Sequence, residues 1–299
     1  MKIARILQDD KPLTVAVRGE NAYSISRAVG VDDAALELSF YDQISQIAET
    51  AGTLTLDQQP IGRFKEMNKL IPVPEVRSIR DFYAFETHVK NARRKRGLDM
   101  IPEWYRYPVF YFSNTSNLYP AGSDVPIPAY TREMDYELEI AIVISRDGRN
   151  IPAERAWDHI LGITLANDWS ARDMQREEMK VGLGPSKGKD FATSIGPVLV
   201  TKDEVLSHRN TEGKIDLDMK ATVNGIVYSS GNLNSIYWDI EKLIEWASME
   251  SWIRAGDVIM TGTVGTGCIL ESQDHPWLKR GDRVILSSDM IGNLDNTLI

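Results

Sequence analysis

An α+β fold dominated by irregular β-sheet is the class that this 299-residue sequence predicts. Short β-branched runs recur along the chain, with helix-period segments between them. Those segments do not alternate with the strands in the strict order of a βαβ array. One run, Tyr136 to Ile144, is apolar at nearly every position and reads as a strand covered on both faces. No internal repeat or low-complexity tract breaks the pattern.

The N-terminal segment opens with two short strands, Lys2 to Leu7 and Leu13 to Arg18, joined at the turn Asp9-Asp10-Lys11-Pro12. A helical stretch follows from Ala34 to Ala51. The two prolines of Ile71-Pro-Val-Pro74 favour extended chain and mark a linker. Beyond it, strands are expected at 107–112, 136–144, 161–167, 195–201, 216–223, 257–261 and 283–287. Helices are expected at 81–96, 153–160, 169–179 and 237–248.

Glu137 and Glu139 interrupt the apolar run two residues apart. Side chains alternate along a strand, so both carboxylates share one face, continued by Ala141 and Val143. An edge strand with two solvated glutamates is the simpler alternative. Leu138, Ile140, Ile142 and Ile144 on the opposite face argue for a covered strand instead. Two like charges in a low-dielectric setting repel and lose hydration. A hard divalent cation held by oxygen ligands neutralises such a pair. A third acid, Asp168, ends the next buried strand, where the chain turns toward a helix. It reads as an N-cap or as a further ligand. Asp81 and His88 lie seven residues apart, close to two helical turns, and so could share a helix face.

Two other motifs carry less. Gly182 to Phe191 is not a phosphate-binding loop, because Leu183 and Asp190 stand where glycine and Ser/Thr are required. Gly256 to Gly267 reads as a strand opening into a Gly/Thr-rich loop of the kind that approaches ligands, with Glu271 just beyond.

The net charge of -9 disfavours nucleic acid and anionic membrane as partners. The basic run Lys90 to Arg96 is a local exception. It reads as a solvated helix face or as a patch that attracts a carboxylate-bearing substrate. The single cysteine, Cys268, rules out a disulfide within the chain and a cysteine-based zinc site. It fits a reducing compartment, and a cytoplasmic location is expected. No signal-peptide h-region is apparent at the N-terminus, and no apolar run approaches membrane-spanning length.

These pieces, in this order, resemble the fumarylacetoacetate hydrolase superfamily. The resemblance rests on Asp81-Phe-Tyr with His88 downstream, Pro102-x-Trp-x-Arg-x-Pro-Val-x-Tyr111, Asp135-Tyr-Glu-Leu-Glu139 and Asn167-Asp-Trp-Ser-Ala-Arg-Asp-x-Gln175. Gly188-Lys189-x-Phe191 and Thr261-Gly-Thr263 complete it, over roughly residues 75 to 299. It implies a large catalytic domain of the fumarylacetoacetase C-terminal type, residues 73–299. Such a domain is an irregular mixed β-sheet roll with short helices, here preceded by a small N-terminal domain, residues 1–72.

The resemblance also implies roles. Metal ligands fall on Asp81, Glu137, Glu139 and Asp168, and the base falls on His88, oriented by Glu271. Lys189 and Gln175 stabilise developing negative charge. Tyr83, Arg96, Tyr111, Arg172 and Thr263 contact substrate. Many small relatives carry a His-x-x-Glu pair, whereas Asn91 stands at that spacing here. Pairing of His88 with Glu271 is therefore expected. The implied activity is metal-dependent hydrolysis of a C–C bond beside a carbonyl in a small dicarbonyl acid. The alternatives are a decarboxylase, isomerase or hydratase of a 2-oxo acid. Mg²⁺ is the default ion, with Ca²⁺ or Mn²⁺ also compatible with an all-oxygen site. A homodimer is implied as well.

Overall fold

The computed structural model describes residues 1–49, 59–272 and 274–299. Mixed sheets and short helices make up the α+β fold that the sequence predicts. The larger sheet runs from Gly62–Arg63 through Asn21–Ser24, Lys11–Arg18, Lys2–Gln8, Thr193–Thr201, Ile160–Asp168, Leu138–Ile144, Asp257–Met260 and Ser78–Phe82 to Phe110–Ser113. Most neighbours are antiparallel, but Asp257–Met260 and Ser78–Phe82 are parallel. A second sheet of five strands is built from Ile226–Asn232, Asp218–Val223, Arg283–Ser288, Gly292–Leu298 and Asp124–Val125. Neither sheet closes on itself among the described residues.

The expected covered strand is Leu138–Ile144, buried at every position between the strands Ile160–Asp168 and Asp257–Met260. It is central, so the edge-strand alternative fails. Its side chains alternate as period two requires. Leu138, Ile140, Ile142 and Ile144 enter one core with residues of the five-stranded sheet and of the helix Ile240–Ser248. Ala141 and Val143 enter the core on the other face, which the helices Asp33–Leu38 and Phe40–Glu49 cover with Leu36, Phe40, Ile44 and Ile47. The expected helical stretch to Ala51 ends in residues that lie outside the described ones.

The N-terminal hairpin forms as the sequence predicts. Asp9 and Asp10 both take positive φ, 49° and 59°, matching the right-handed twist of the flanking strands. Lys2–Gln8 then hydrogen-bonds to Thr193–Thr201, so the N-terminal strands extend the same sheet. Val73 in the proline-containing segment is buried, and Arg5 donates to the carbonyls of Ile71 and Val73.

One element differs in a way that matters. The expected helix 81–96 begins only at Glu86, and Asp81 lies on the strand Ser78–Phe82, where it is paired with Met260 and Tyr111. The aromatic run Phe82-Tyr-Ala-Phe85 favours extended chain, and the parallel partner strand supplies its hydrogen bonds. Asp81 and His88 therefore do not share a helix face. Expected helix 169–179 likewise starts at Arg172, after a short strand Ser170–Ala171. Asp168 is thus three residues from the cap position Ala171 and caps nothing there.

Candidate active site

The central strands end beside a cavity of about 390 Å³. Its wall includes Asp81, Tyr83, His88, Arg96, Tyr111, Glu137, Glu139, Arg172, Gln175, Lys189 and Thr263, which are eleven of the thirteen residues expected at the site. Asp168 lies beneath it, reached by Tyr111 and Lys189, and Glu271 lies behind His88.

Three carboxylates form the floor. Asp81, Glu139 and Asp168 are buried, and one oxygen of each lies within 4.8 Å of the others. Asp81 Oδ1, Glu139 Oε1 and Asp168 Oδ1 have no hydrogen-bond partner. Unpartnered buried oxygens on three acids gathered this closely are costly unless a cation joins them. Burial pushes all three carboxyls above their usual range; neighbouring carboxylates add to it, and Lys189 opposes it. A hard divalent ion fits this donor set.

The remaining oxygens of these acids are anchored. Tyr111 donates to Asp81 Oδ2 at 3.1 Å and to Asp168 Oδ2 at 2.7 Å. The Gly262 N–H donates to Glu139 Oε2 at 3.1 Å. Only glycine fits there. Its φ is +77°, and a Cβ would sit 2.3 Å from the Phe82 carbonyl oxygen.

Glu137 stands to one side of the trio. Its oxygens accept from Arg172 Nη2 at 2.8 Å and Lys189 Nζ at 2.5 Å. Burial would raise this carboxyl, but Lys189, Arg172 and His88 overrule it and hold it well below the usual range. Lys189 also contacts Asp168. Its ammonium is buried, which opposes the charge, yet Asp168 and Glu137 keep it firmly protonated. Lys189 reaches this position because Gly188 passes so close to Gln175 that a Cβ would lie 2.8 Å from the Gln175 Cα.

Asp135 is a residue whose importance sequence reasoning missed, although it begins the Asp-Tyr-Glu-Leu-Glu motif. It is fully buried and accepts from Arg172 Nε at 2.8 Å, from Ile269 N at 2.8 Å and from Leu270 N at 3.0 Å. It thereby ties Arg172 to the turn Ile269–Glu271. Arg172 in turn bridges Asp135, Glu137 and Gln175.

The fourth group is the pair His88 and Glu271. His88 Nδ1 lies 2.6 Å from Glu271 Oε1. Burial pushes Glu271 up, but the His88 hydrogen bond and charge, with Asn91 and the Thr266 N–H, bring it below its ordinary value. An ionised carboxylate only accepts, so Nδ1 carries a proton and donates to Glu271. Nε2 faces Glu137 Oε1 at 3.9 Å, on the cavity side. The Tyr83 ring meets the imidazole edge-on at 5.2 Å. Arg96 is exposed, ends the His88 helix and makes no salt bridge among the described residues. Thr263 Oγ1 is engaged by the Leu138 carbonyl at 3.2 Å.

Residues 77–299 match the family described as fumarylacetoacetate (FAA) hydrolase C-terminal. The chain belongs to the fumarylacetoacetate hydrolase family. This family member is 35% identical over 195 residues to mitochondrial oxaloacetate tautomerase fahd2 of Xenopus laevis, a match covering 64% of this chain and 58% of that protein. The chain thus spans little more than half the length of that relative. Among solved structures, an HpcE protein from Mycobacterium smegmatis matches with a TM-score of 0.78 and 25% identity, covering 100% of this chain and 99% of its own. A fumarylpyruvate hydrolase from Pseudomonas aeruginosa, in complex with Mn²⁺ and pyruvate, matches with a TM-score of 0.63 and 25% identity. That match covers 77% of this chain and 91% of the hydrolase. The relatives' names thus include a tautomerase and a hydrolase. No helix among the described residues is long and apolar enough to cross a membrane.

Proposed function

We propose that this protein is a divalent-ion-dependent enzyme acting on a small 2-oxo acid with a second carbonyl, with His88 as its general base. The observation that carries the proposal is the His88–Glu271 pair beside the carboxylate trio. Glu271 fixes the tautomer through Nδ1, and Nε2 is left to take a proton on the cavity side.

Asp81, Glu139 and Asp168 would hold the ion, with Glu137 beside them. Mg²⁺ is the proposed ion, and Mn²⁺ and Ca²⁺ suit the same oxygen donors. When bound, the ion supplies Lewis-acid polarisation of a substrate carbonyl. Lys189 and Gln175 stabilise negative charge that develops on substrate oxygens. Arg172 keeps Glu137 ionised and Gln175 in place. Tyr83 and Arg96 line the wall where a second carboxylate of the substrate would lie, and Tyr111 and Thr263 shape the floor.

Two reactions use the same base. His88 can remove a proton from the carbon between two carbonyls, as in keto–enol tautomerisation of an oxaloacetate-type acid. It can instead remove a proton from water for C–C hydrolysis of an acylpyruvate. The tautomerase relative, at 35% identity, favours the first. The fumarylpyruvate hydrolase neighbour supports the second, which is also the reading of the motifs. Incubation with Mg²⁺ or Mn²⁺ and oxaloacetate, an acylpyruvate or fumarylacetoacetate separates them. Enol absorbance lost without C–C cleavage indicates tautomerisation; release of pyruvate and a carboxylic acid from the acylpyruvate, or of fumarate and acetoacetate from fumarylacetoacetate, indicates hydrolysis. No metal-dependent turnover of any of the three would overturn the proposal. A homodimer is also proposed on family grounds, and light scattering that gives a monomer at micromolar concentration would contradict it.

A further inference from the structure

Glu271 does not hold His88 unaided. Its second oxygen, Oε2, accepts from Asn91 Nδ2 at 2.7 Å and from the Thr266 N–H at 3.0 Å. Asn91 lies three residues after His88 on the helix Glu86–Lys95, so both side chains leave the same face toward the same carboxylate. The orientation of the Asn91 amide is set from its other side. Arg94 Nη2 donates to Asn91 Oδ1 at 3.0 Å, which turns the Nδ2 end to Glu271. A chain therefore runs from Arg94 through Asn91 and Glu271 to His88.

We propose that Asn91 is a positioning residue for the general base: it locks the Glu271 carboxylate so that Oε1, and not Oε2, meets His88 Nδ1. The inference rests on the reading of His88 as the base. A carboxylate rotates unless its oxygens are held. Here the Thr266 N–H and Asn91 Nδ2 both donate to Oε2, which leaves Oε1 for His88. Rotation would misdirect the imidazole, and catalysis falls steeply with small errors in orientation. Asn91 does not line the cavity, and its hydrogen bond toward the site goes to Glu271.

The test compares Asn91→Ala and Asn91→Asp in the full chain on oxaloacetate with Mn²⁺ at pH 8. Each variant is also titrated calorimetrically with Mn²⁺. The expected result is a roughly ten- to hundredfold fall in kcat for Asn91→Ala, the usual range for a residue that orients an active-site group. KM and Mn²⁺ affinity should stay unchanged. Asn91→Asp has the same shape but replaces the donor by an acceptor against Glu271 Oε2. It should fall further than Asn91→Ala. A residue that merely fills space would let Asn91→Asp keep wild-type kcat, and that result overturns the proposal. So does a loss carried by KM or by Mn²⁺ affinity, or wild-type kcat in both variants. The His88 reading fails separately, through activity retained in His88→Ala. If the wild-type chain leaves oxaloacetate unchanged, the comparison is made on the acylpyruvate or fumarylacetoacetate that it turns over.

Discussion

His88 Nδ1 and Glu271 Oε1 stand 2.6 Å apart across a separation of 183 residues. One belongs to the helix Glu86–Lys95 and the other to the turn Ile269–Glu271, which Asp135 fixes through two backbone N–H groups. The pair is therefore built by tertiary structure alone. It places an imidazole on the wall of the cavity whose floor holds Asp81, Glu139 and Asp168.

The first prediction concerns those carboxylates. Glu139→Gln and Asp168→Asn each remove one charge from the trio and should weaken Mn²⁺ or Mg²⁺ binding by at least tenfold, on the order of 1.4 kcal/mol. Glu137→Gln should weaken it too, while also freeing Arg172. Isothermal titration of the three variants checks this, and wild-type affinity in all of them would remove the proposed site.

A second prediction follows from the direction of their shifts. Asp81, Glu139 and Asp168 have folded-state values above their unfolded ones. Each contributes stability that is fully present below the ordinary carboxylate value and is lost as pH rises through the raised one. Glu137 is shifted the opposite way, so its contribution is lost only in strong acid. The metal-free protein should thus lose stability as pH rises from about 4 toward neutrality and beyond. Saturating Mn²⁺ should restore it, by about 2.7 kcal/mol at a hundredfold excess over Kd. At one fixed Mn²⁺ concentration the gain in Tm should be larger at pH 8 than at pH 5, because protons compete for the carboxylates at the lower pH, and an equal gain at both would contradict the electrostatic account.

Arg172 gives a stability prediction independent of metal. It is buried and pairs with Asp135 and Glu137 at 2.8 Å each. Arg172→Ala leaves both carboxylates without that partner and should cost about 3–5 kcal/mol. Urea unfolding measures it, and a loss below about 1 kcal/mol would show that the network is not structural.

Gly262 should tolerate no side chain. Gly262→Ala places a Cβ 2.3 Å from the Phe82 carbonyl oxygen at a φ of +77°. Relief of that clash must move the N–H that holds Glu139. A destabilisation of about 1–3 kcal/mol is expected, together with weaker Mn²⁺ binding. Unchanged values for both in thermal unfolding and titration would mean that the loop adapts freely.

The parts of this site that were legible in sequence are those with a local signature. Glu137 and Glu139 announced themselves because two acids break an otherwise apolar period-two run, and the structure buries that run between two strands. Asp168 was visible as a strand-end acid but ambiguous with a helix cap, until the short strand Ser170–Ala171 separated it from the helix. The sequence pattern puts Asp81 on a helix, whereas the structure puts it on the strand Ser78–Phe82. Its strand depends on the parallel partner Asp257–Met260, which lies far along the chain. The pairing of His88 with Glu271 has no local signal, and the family motifs alone suggested it. Asp135 stayed hidden for a similar reason: it looks like any acid beside a strand until its four hydrogen bonds are seen.

The most direct test of the account is turnover by His88→Ala beside the wild type, on oxaloacetate and on an acylpyruvate, with Mn²⁺ affinity measured on the same samples. Loss of the general base should lower turnover by about 10²–10⁴-fold. Glu271→Gln should cost less, because part of the orientation survives, and Mn²⁺ affinity should hold in both variants. Near-wild-type turnover by His88→Ala on the better substrate would contradict the account.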